Sequence, residues 1–241
     1  MSHRIALVAS LLGAALASVA PAASAATVYS NDFTAGAGAE WSNNSTATSA
    51  GEKFLGASAN GFGNGTDTLT LTGLAPHTQV TVNFDLYIIQ SWDGNGPAGG
   101  GPDNYGLSQN GNALLLTNFA NFTGPNTQSY SAATPNGLGF FNAPRSGQFD
   151  AGHLGFGTGD FGDATYRFSF TFASSAATLA LDFTSLQNQS PGDEGWGLDN
   201  VSVLTDTTAA AVPEPSTLAL VGLAGLGLLA ARRRRGGDRQ A

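Results

Sequence analysis

The stretch TQVTVNFDLYII, Thr78 to Ile89, decides the fold. Val80, Val82, Phe84, Leu86 and Ile88 share one parity, while Thr81, Asn83 and Asp85 take the other. A period of two sends successive side chains to opposite faces, so this is a strand with one apolar face. Its β-branched and aromatic residues suit a pleated surface. The same alternation recurs on both sides of it. DTLTLTGL carries it with Leu69 and Leu71, YRFSFTF with Tyr166, Phe168, Phe170 and Phe172, and ATLALDF with Leu179, Leu181 and Phe183. The apolar run NALLLTNFANF, Asn112 to Phe122, is ambiguous by periodicity and is read as a strand. No period of 3.6 appears between the two terminal segments. About eight to ten strands with Gly- and Asn-rich connections predict an all-β fold, a two-sheet antiparallel sandwich of the jelly-roll kind. Two connections are long, Trp92 to Asn104 and roughly Thr123 to Thr165, and long segments without secondary structure are usually functional or disordered.

The ends of the chain read differently. MSHRIALVASLLGAALASVAPAASA has a basic start at Arg4, an apolar run from Ile5 to Ala20 and a small-residue cleavage site at Ala23-Ser24-Ala25. That order is the layout of a secretory signal peptide over residues 1–25, with a mature start near Ala26. The sandwich then occupies 26–206, a linker 207–212, and a terminal signal 213–236. Within the signal, Thr217 to Ala231 is apolar or small, and Arg232, Arg233, Arg234 and Arg235 follow. As a helix, 217–231 spans roughly 22 Å at 1.5 Å per residue, short of a hydrocarbon core roughly 30 Å thick. The arginines place its C-terminal end on the cytoplasmic side. A marginal anchor of this kind suits a temporary hold at the inner membrane.

Charge and cysteine content narrow the classes. Between Ala26 and Pro213 there are fifteen Asp or Glu against Lys53, Arg145 and Arg167, a net charge of −12. Such a body disfavours nucleic acid, whose binding depends on Lys and Arg at phosphates, and it is compatible with divalent cations. The chain has no cysteine. A domain of about 180 residues can bury a core without disulfides, so stability rests on packing, with or without a metal.

Val212-Pro213-Glu214-Pro215, the short apolar helix and the arginine cluster resemble the PEP-CTERM sorting signal. The resemblance implies export in a Gram-negative bacterium that makes exopolysaccharide, and processing by a membrane exosortase at Pro213, Glu214, Pro215 and the helix beyond. It implies a destination at the cell surface or in the extracellular matrix. It is silent on what the sandwich does.

DEGWGLDNVSVL, Asp193 to Leu204, resembles the closing strand of galactose-binding-like and carbohydrate-binding jelly rolls, in which an aromatic-x-x-Asp-Asn/Asp-Val pattern ends the sandwich. Its second half alternates, with Asp199, Val201 and Val203 expected on one face. In those families the strand Asp often binds a structural calcium with groups from the first strand. The resemblance therefore implies calcium at Asp199 and, from YSNDFTAG, at Asp32. Many such modules carry Phe-Glu where this chain has Asp32-Phe33-Thr34. Calcium accepts six to eight oxygens in flexible geometry. The other reading of Asp199 is a turn cap or a backbone hydrogen bond.

A second cluster lies in SWDGNGPAGGGPDNYGL, Ser91 to Leu107, where Asp93, Asn95, Asp103 and Asn104 could supply oxygen ligands. It is not an EF-hand, because Pro97 and Ala98 interrupt that pattern. Trp92 and Trp196 are candidates for stacking on a sugar ring, against the alternative of core packing. Enzyme signatures are sparse. Glutamates occur only at 40, 52, 194 and 214, and no G-x-S-x-G elbow, P-loop, dinucleotide fingerprint or zinc spacing is present. Asp85 and Asp182 are possible acid partners that nothing in the sequence brings together, and His77 and His153 are isolated. The expectation is a non-catalytic, calcium-stabilised surface or matrix protein that binds glycan. The alternatives are a glycan-active enzyme on a concanavalin-like sandwich, favoured by two carboxylates facing each other on a sheet, and a purely structural envelope protein.

Overall fold

A computed structural model describes residues 24–96 and 100–207. Apart from Ser24, Ala25 and Thr207, the expected signal peptide, linker and sorting signal with its 217–231 helix lie outside the described residues. No helix among the described residues is long and apolar enough to cross a membrane. The described residues form β1 (Ser24–Asn31), β2 (Thr46–Ser49), β3 (Glu52–Leu55), β4 (Gly65–Thr72), β5 (Gln79–Gln90), β6 (Asn104–Gln109), β7 (Asn112–Asn118), β8 (Asp150–Ala151), β9 (Asp163–Ala173), β10 (Thr178–Leu186) and β11 (Glu194–Thr207). One sheet runs β2-β3-β11-β5-β9-β8, with β1 also on β11, and the other runs β4-β10-β6-β7. Every pairing is antiparallel.

The alternating strands do what their parity requires. Val80, Val82, Phe84, Leu86 and Ile88 of β5 are buried between the sheets, facing Leu179, Leu181 and Phe183 of β10 and Leu69 and Leu71 of β4 in one core. The ambiguous run is strand only to Asn118, and Phe119 enters the core just past the strand end. Two tight hairpins set the register. Ala50-Gly51 joins β2 to β3, and Asn110-Gly111 joins β6 to β7, with all four residues at positive φ. Two-residue hairpins favour such turns because their twist matches the strands.

The outer face of the seven-stranded sheet is not simply solvated. Phe54, Tyr87, Ile89 and Leu154 form a second, smaller apolar cluster there, with Phe54 edge-on to Tyr87 at 5.5 Å. The β2–β3 hairpin and the segment around Leu154 cover that half of β5, so its polar-parity residues end in apolar ones.

The expected face of Asp199 is corrected by the register. Asp199 lies opposite Asp85 and Ser202 opposite Asn83, so Asn200 and Val201 together face one residue of β5. That is a β-bulge, and an extra residue reverses the parity beyond it. Val201 and Val203 point into the core, as do Trp196 and Leu198 before the bulge, while Asp199 stands on the outer face near Tyr87. Asn200 takes the left-handed conformation at φ 50° that the bulge requires.

The long segment 119–149 is ordered by buried amides. Gln128 Oε1 accepts from Ala120 N at 3.1 Å and Arg145 N at 2.8 Å, and its Nε2 donates to Tyr130 O at 2.8 Å and Ser146 O at 2.9 Å. Asn121 Nδ2 donates to Ile88 O and Gln90 O, both at 3.0 Å. These side chains tie the segment together and to the end of β5 through backbone groups, as buried polar groups require.

Candidate functional site

The bulge builds a pocket. Asp199 and Asn200 of β11 join Asp85 and Tyr87 of β5, Thr165 and Arg167 of β9, and Glu52 of β3 around a cavity of about 200 Å³ on the outer sheet face; Phe149, Asp150 and His153 close one side. The polar groups hold one another in place. Arg167 Nε donates to Asp85 Oδ1 at 3.1 Å, and Asn200 Nδ2 donates to Asp85 Oδ2 at 3.0 Å and Asp199 Oδ2 at 3.1 Å. Tyr87 OH donates to Asp199 Oδ2 at 3.2 Å, and Asn200 N to Asp199 Oδ1 at 2.7 Å. His153 stacks on Tyr87, with Nε2 3.5 Å from Glu52 Oε2 and Nδ1 3.4 Å from Asp150 Oδ2. The Arg167 guanidinium lies 3.4 Å from the centroid of the Phe149 ring, a side chain 58% exposed.

Burial pushes the Asp199 carboxyl up to about 7, and a hydrogen bond with Glu52 adds to the rise. Burial likewise raises the Tyr87 phenol, which stays a donor. The two carboxylates thus face each other on a sheet, as the enzyme alternative asks. They are close enough to couple, Glu52 adding to the rise at Asp199. Asp182 is elsewhere, on β10, accepting from Thr68 and Ser108.

Asp32 and Asp199 do not fit a shared calcium. Asp32 directly follows β1, which pairs with β11, Asn31 lying opposite Val201. Yet Asp32 is exposed, and its Oδ1 accepts from Thr34 N and Oγ1, bonds that hold its carboxyl below the usual range. Both oxygens of Asp199 already accept hydrogen bonds, and among the described residues neither aspartate belongs to a cluster of three or more potential ligands.

The expected sugar-stacking residues are core residues. Trp92 is 0% and Trp196 1% exposed. Trp92 Nε1 donates to Gly195 O at 2.7 Å and Trp196 Nε1 to Gly63 O at 2.8 Å, so each indole fills the core with its one donor satisfied. Neither offers a face to a ligand. Asn95 is not a free ligand either. Its Oδ1 accepts from Asn118 Nδ2 at 2.8 Å and Ser129 Oγ at 3.2 Å, bracing the loop.

Asp93 and Asp103, from the same stretch, do come together, and Glu194 joins them. One carboxylate oxygen from each lies within 4.8 Å of the others. Asp103 Oδ2 accepts from the backbone N of Asp93, and Asp93 Oδ1 from Asn126 Nδ2 at 2.6 Å. Burial raises the carboxyls of Asp103 and Glu194, and each lies in the other's field. Glu194 had no signal of its own in the sequence, because only the fold carries the start of β11 to the mouth of the 91–103 loop.

Fold and site together define a jelly-roll-type sandwich with a polar pocket on one sheet face and an acidic cluster at one end. Residues 211–235 match the PEP-CTERM protein-sorting motif, which marks an exported protein with a C-terminal sorting signal and implies exosortase processing. Among solved structures, the chain is similar to dimeric latent PorU of Porphyromonas gingivalis, at 14% identity and a TM-score of 0.34, covering 61% of this chain and 11% of that one. It is similar to a carbohydrate-binding module of Cellvibrio mixtus lichenase 5A in complex with cellotriose, at 11% identity, TM-score 0.32, covering 76% of this chain and 100% of that one. It is also similar to a cleaved adhesin domain of Lys-gingipain from Porphyromonas gingivalis, at 13% identity, TM-score 0.35, covering 75% and 100%. No curated protein sequence matches the chain.

Proposed function

We propose that the exported sandwich is a non-catalytic glycan-binding protein of the cell surface or exopolysaccharide matrix, held transiently at the inner membrane before processing. The observation that carries the reading is the pocket at Asp85, Tyr87, Arg167, Asp199 and Asn200. Carboxylate, amide and guanidinium groups each present two in-plane hydrogen-bonding atoms, which suit adjacent sugar hydroxyls. Here they are pre-set by mutual bonds, and pre-organisation lowers the cost of binding. The exposed Phe149 ring beside them offers an apolar face. At about 200 Å³ the cavity is below the ~300 Å³ where pockets for drug-sized ligands begin, so it takes one sugar unit of a chain. Four carboxylates against Arg167 and His153 favour neutral or amino sugars over uronic acids.

The test is affinity electrophoresis of the purified full-length protein through gels containing the producing bacterium's exopolysaccharide, or neutral, amino or acidic polysaccharides. Retardation by neutral or amino sugars is expected, and Phe149→Ala should weaken it about fivefold, the ~1 kcal/mol of one aromatic contact. No retardation in any gel would leave a purely structural protein. Release of reducing ends from any of these polysaccharides would return the enzyme reading.

A further inference from the structure

We propose that Asp93, Asp103 and Glu194 form a calcium site that ties the residues following β5 and preceding β6 to the first residue of β11. Three observations carry it, and none depends on sugar binding. The first is geometry. Asp93 lies three residues past β5, Asp103 one residue before β6, and Glu194 opens β11, so the cluster joins segments leading from both sheets, and its oxygens lie within 4.8 Å of one another. Two oxygens on opposite sides of one calcium stand about 5 Å apart, twice a bond of 2.3–2.6 Å.

The second is unmet bonding. Glu194 is 0% exposed, and among the described residues no N–H or hydroxyl donor reaches either of its carboxylate oxygens or Oδ1 of the equally buried Asp103, so a proton shared between the two carboxyls is their one hydrogen-bonding link. A buried carboxylate without donors is among the costliest groups a fold can hold, and a coordinated cation removes that cost. The amide oxygen of Gln189, also without a partner, lines the same groove as Asp93 and Asp193 and is a further oxygen donor within that groove.

The third is charge. Lys53, Arg145 and Arg167 are the Lys and Arg side chains among the described residues, and all three are engaged elsewhere. Lys53 Nζ donates to Thr34 O, Arg145 to the carbonyls of Thr158 and Gly159, and Arg167 to Asp85. Asp193 adds a fourth carboxylate beside the cluster, its Oδ1 accepting from Ser91 Oγ. Negative charge is thus concentrated there with no Lys or Arg beside it among the described residues.

The donors select the ion. An all-oxygen set of carboxylates suits a hard cation, and calcium accepts such a set in flexible geometry, whereas magnesium keeps several waters and demands octahedral geometry. The ion would replace mutual repulsion of buried carboxylates by attraction, and it would hold the loop and the closing strand in one piece.

The experiment uses the purified full-length protein, stripped with EDTA and then titrated with calcium or magnesium. Atomic emission after equilibrium dialysis should find one calcium per chain. The melting temperature should rise by about 5–10 °C once calcium exceeds its Kd a hundredfold, and less with magnesium. Glu194→Gln should abolish the response, and Asp199→Asn should keep it. Should Glu194→Gln not fold, Asp93→Asn at the more exposed ligand must weaken the response. No bound calcium together with an unmoved melting curve overturns the proposal, as does a parental response in Glu194→Gln. A response lost in Asp199→Asn alone moves the ion to the pocket at the β11 bulge and equally overturns it.

Discussion

Asp199 is the residue where environment most alters chemistry. Its carboxyl is pushed from an ordinary value of 3.8 to about 7, first by burial and then by Glu52 beside it. An acid whose folded pKa lies above its unfolded value destabilises the fold as it ionises. The penalty is absent below about pH 4, grows between the two pKa values and is complete above about pH 7. Asp199→Asn keeps an acceptor for the Asn200 backbone and removes the ionisation. The variant should gain on the parent in denaturant unfolding as pH rises from 4 to 8. A parent–variant gap that stays constant across that range would mean the Asp199 carboxyl ionises with no penalty. The two tryptophans teach the complementary lesson. Residue type alone makes Trp92 and Trp196 plausible sugar platforms, but a large ring with one donor is equally suited to a core that satisfies that donor, and here Gly195 and Gly63 carbonyls do so.

At the scale of the element, β11 does three tasks along one strand. Its first residue, Glu194, enters the acidic cluster; Trp196, Leu198, Val201 and Val203 fill the core; and the bulge between them turns Asp199 and Asn200 to the pocket. The bulge depends on Asn200 at φ 50°. Glycine occupies that region freely, while a β-branched residue is strained there by roughly 1–2 kcal/mol. Asn200→Ile should therefore be less stable than Asn200→Gly by about that amount in urea unfolding, although both lose the bonds to Asp85 and Asp199. Equal stability of the two variants would show that the strand relaxes out of the bulge. Asn200→Gly should keep the fold while weakening glycan retardation, since the Asp85 and Asp199 carboxylates lose the amide that orients them both.

At the scale of the whole molecule, an acidic sandwich is coupled to a basic, apolar ending with the order of a sorting signal. Processing within that signal would free a body whose net charge is −12 between Ala26 and Pro213. Mass spectrometry of protein released from producing cells should then find peptides from the sandwich and none from Leu218 onward. Recovery of the Arg232–Arg235 tail on released protein would contradict processing. With no cysteine in the chain, the described body is held by packing and buried amides. The 119–149 segment shows how the amides act: Gln128 alone makes four hydrogen bonds to backbone groups of that segment.

Period-two alternation was enough to determine the strands β4, β5, β9 and β10, the side of each that faces the core, and the two-sheet antiparallel class, because which face of a strand is buried is a local property of apolar spacing. The sorting signal was equally legible, being a contiguous pattern of motif, apolar run and charge. Asp93 and Asp103 could be picked out as oxygen donors because they share one Gly-rich loop. Their partner Glu194 could not, since 91 positions separate it from Asp103 and only the pairing of β11 with β5 brings it there. Asp199 was placed on the wrong face because a bulge is a mismatch between two strands, invisible in either one alone. The pocket, the burial of the tryptophans and the meeting of three carboxylates were decided by the tertiary structure, since each arises from register and packing between distant segments rather than from the order of residues within one.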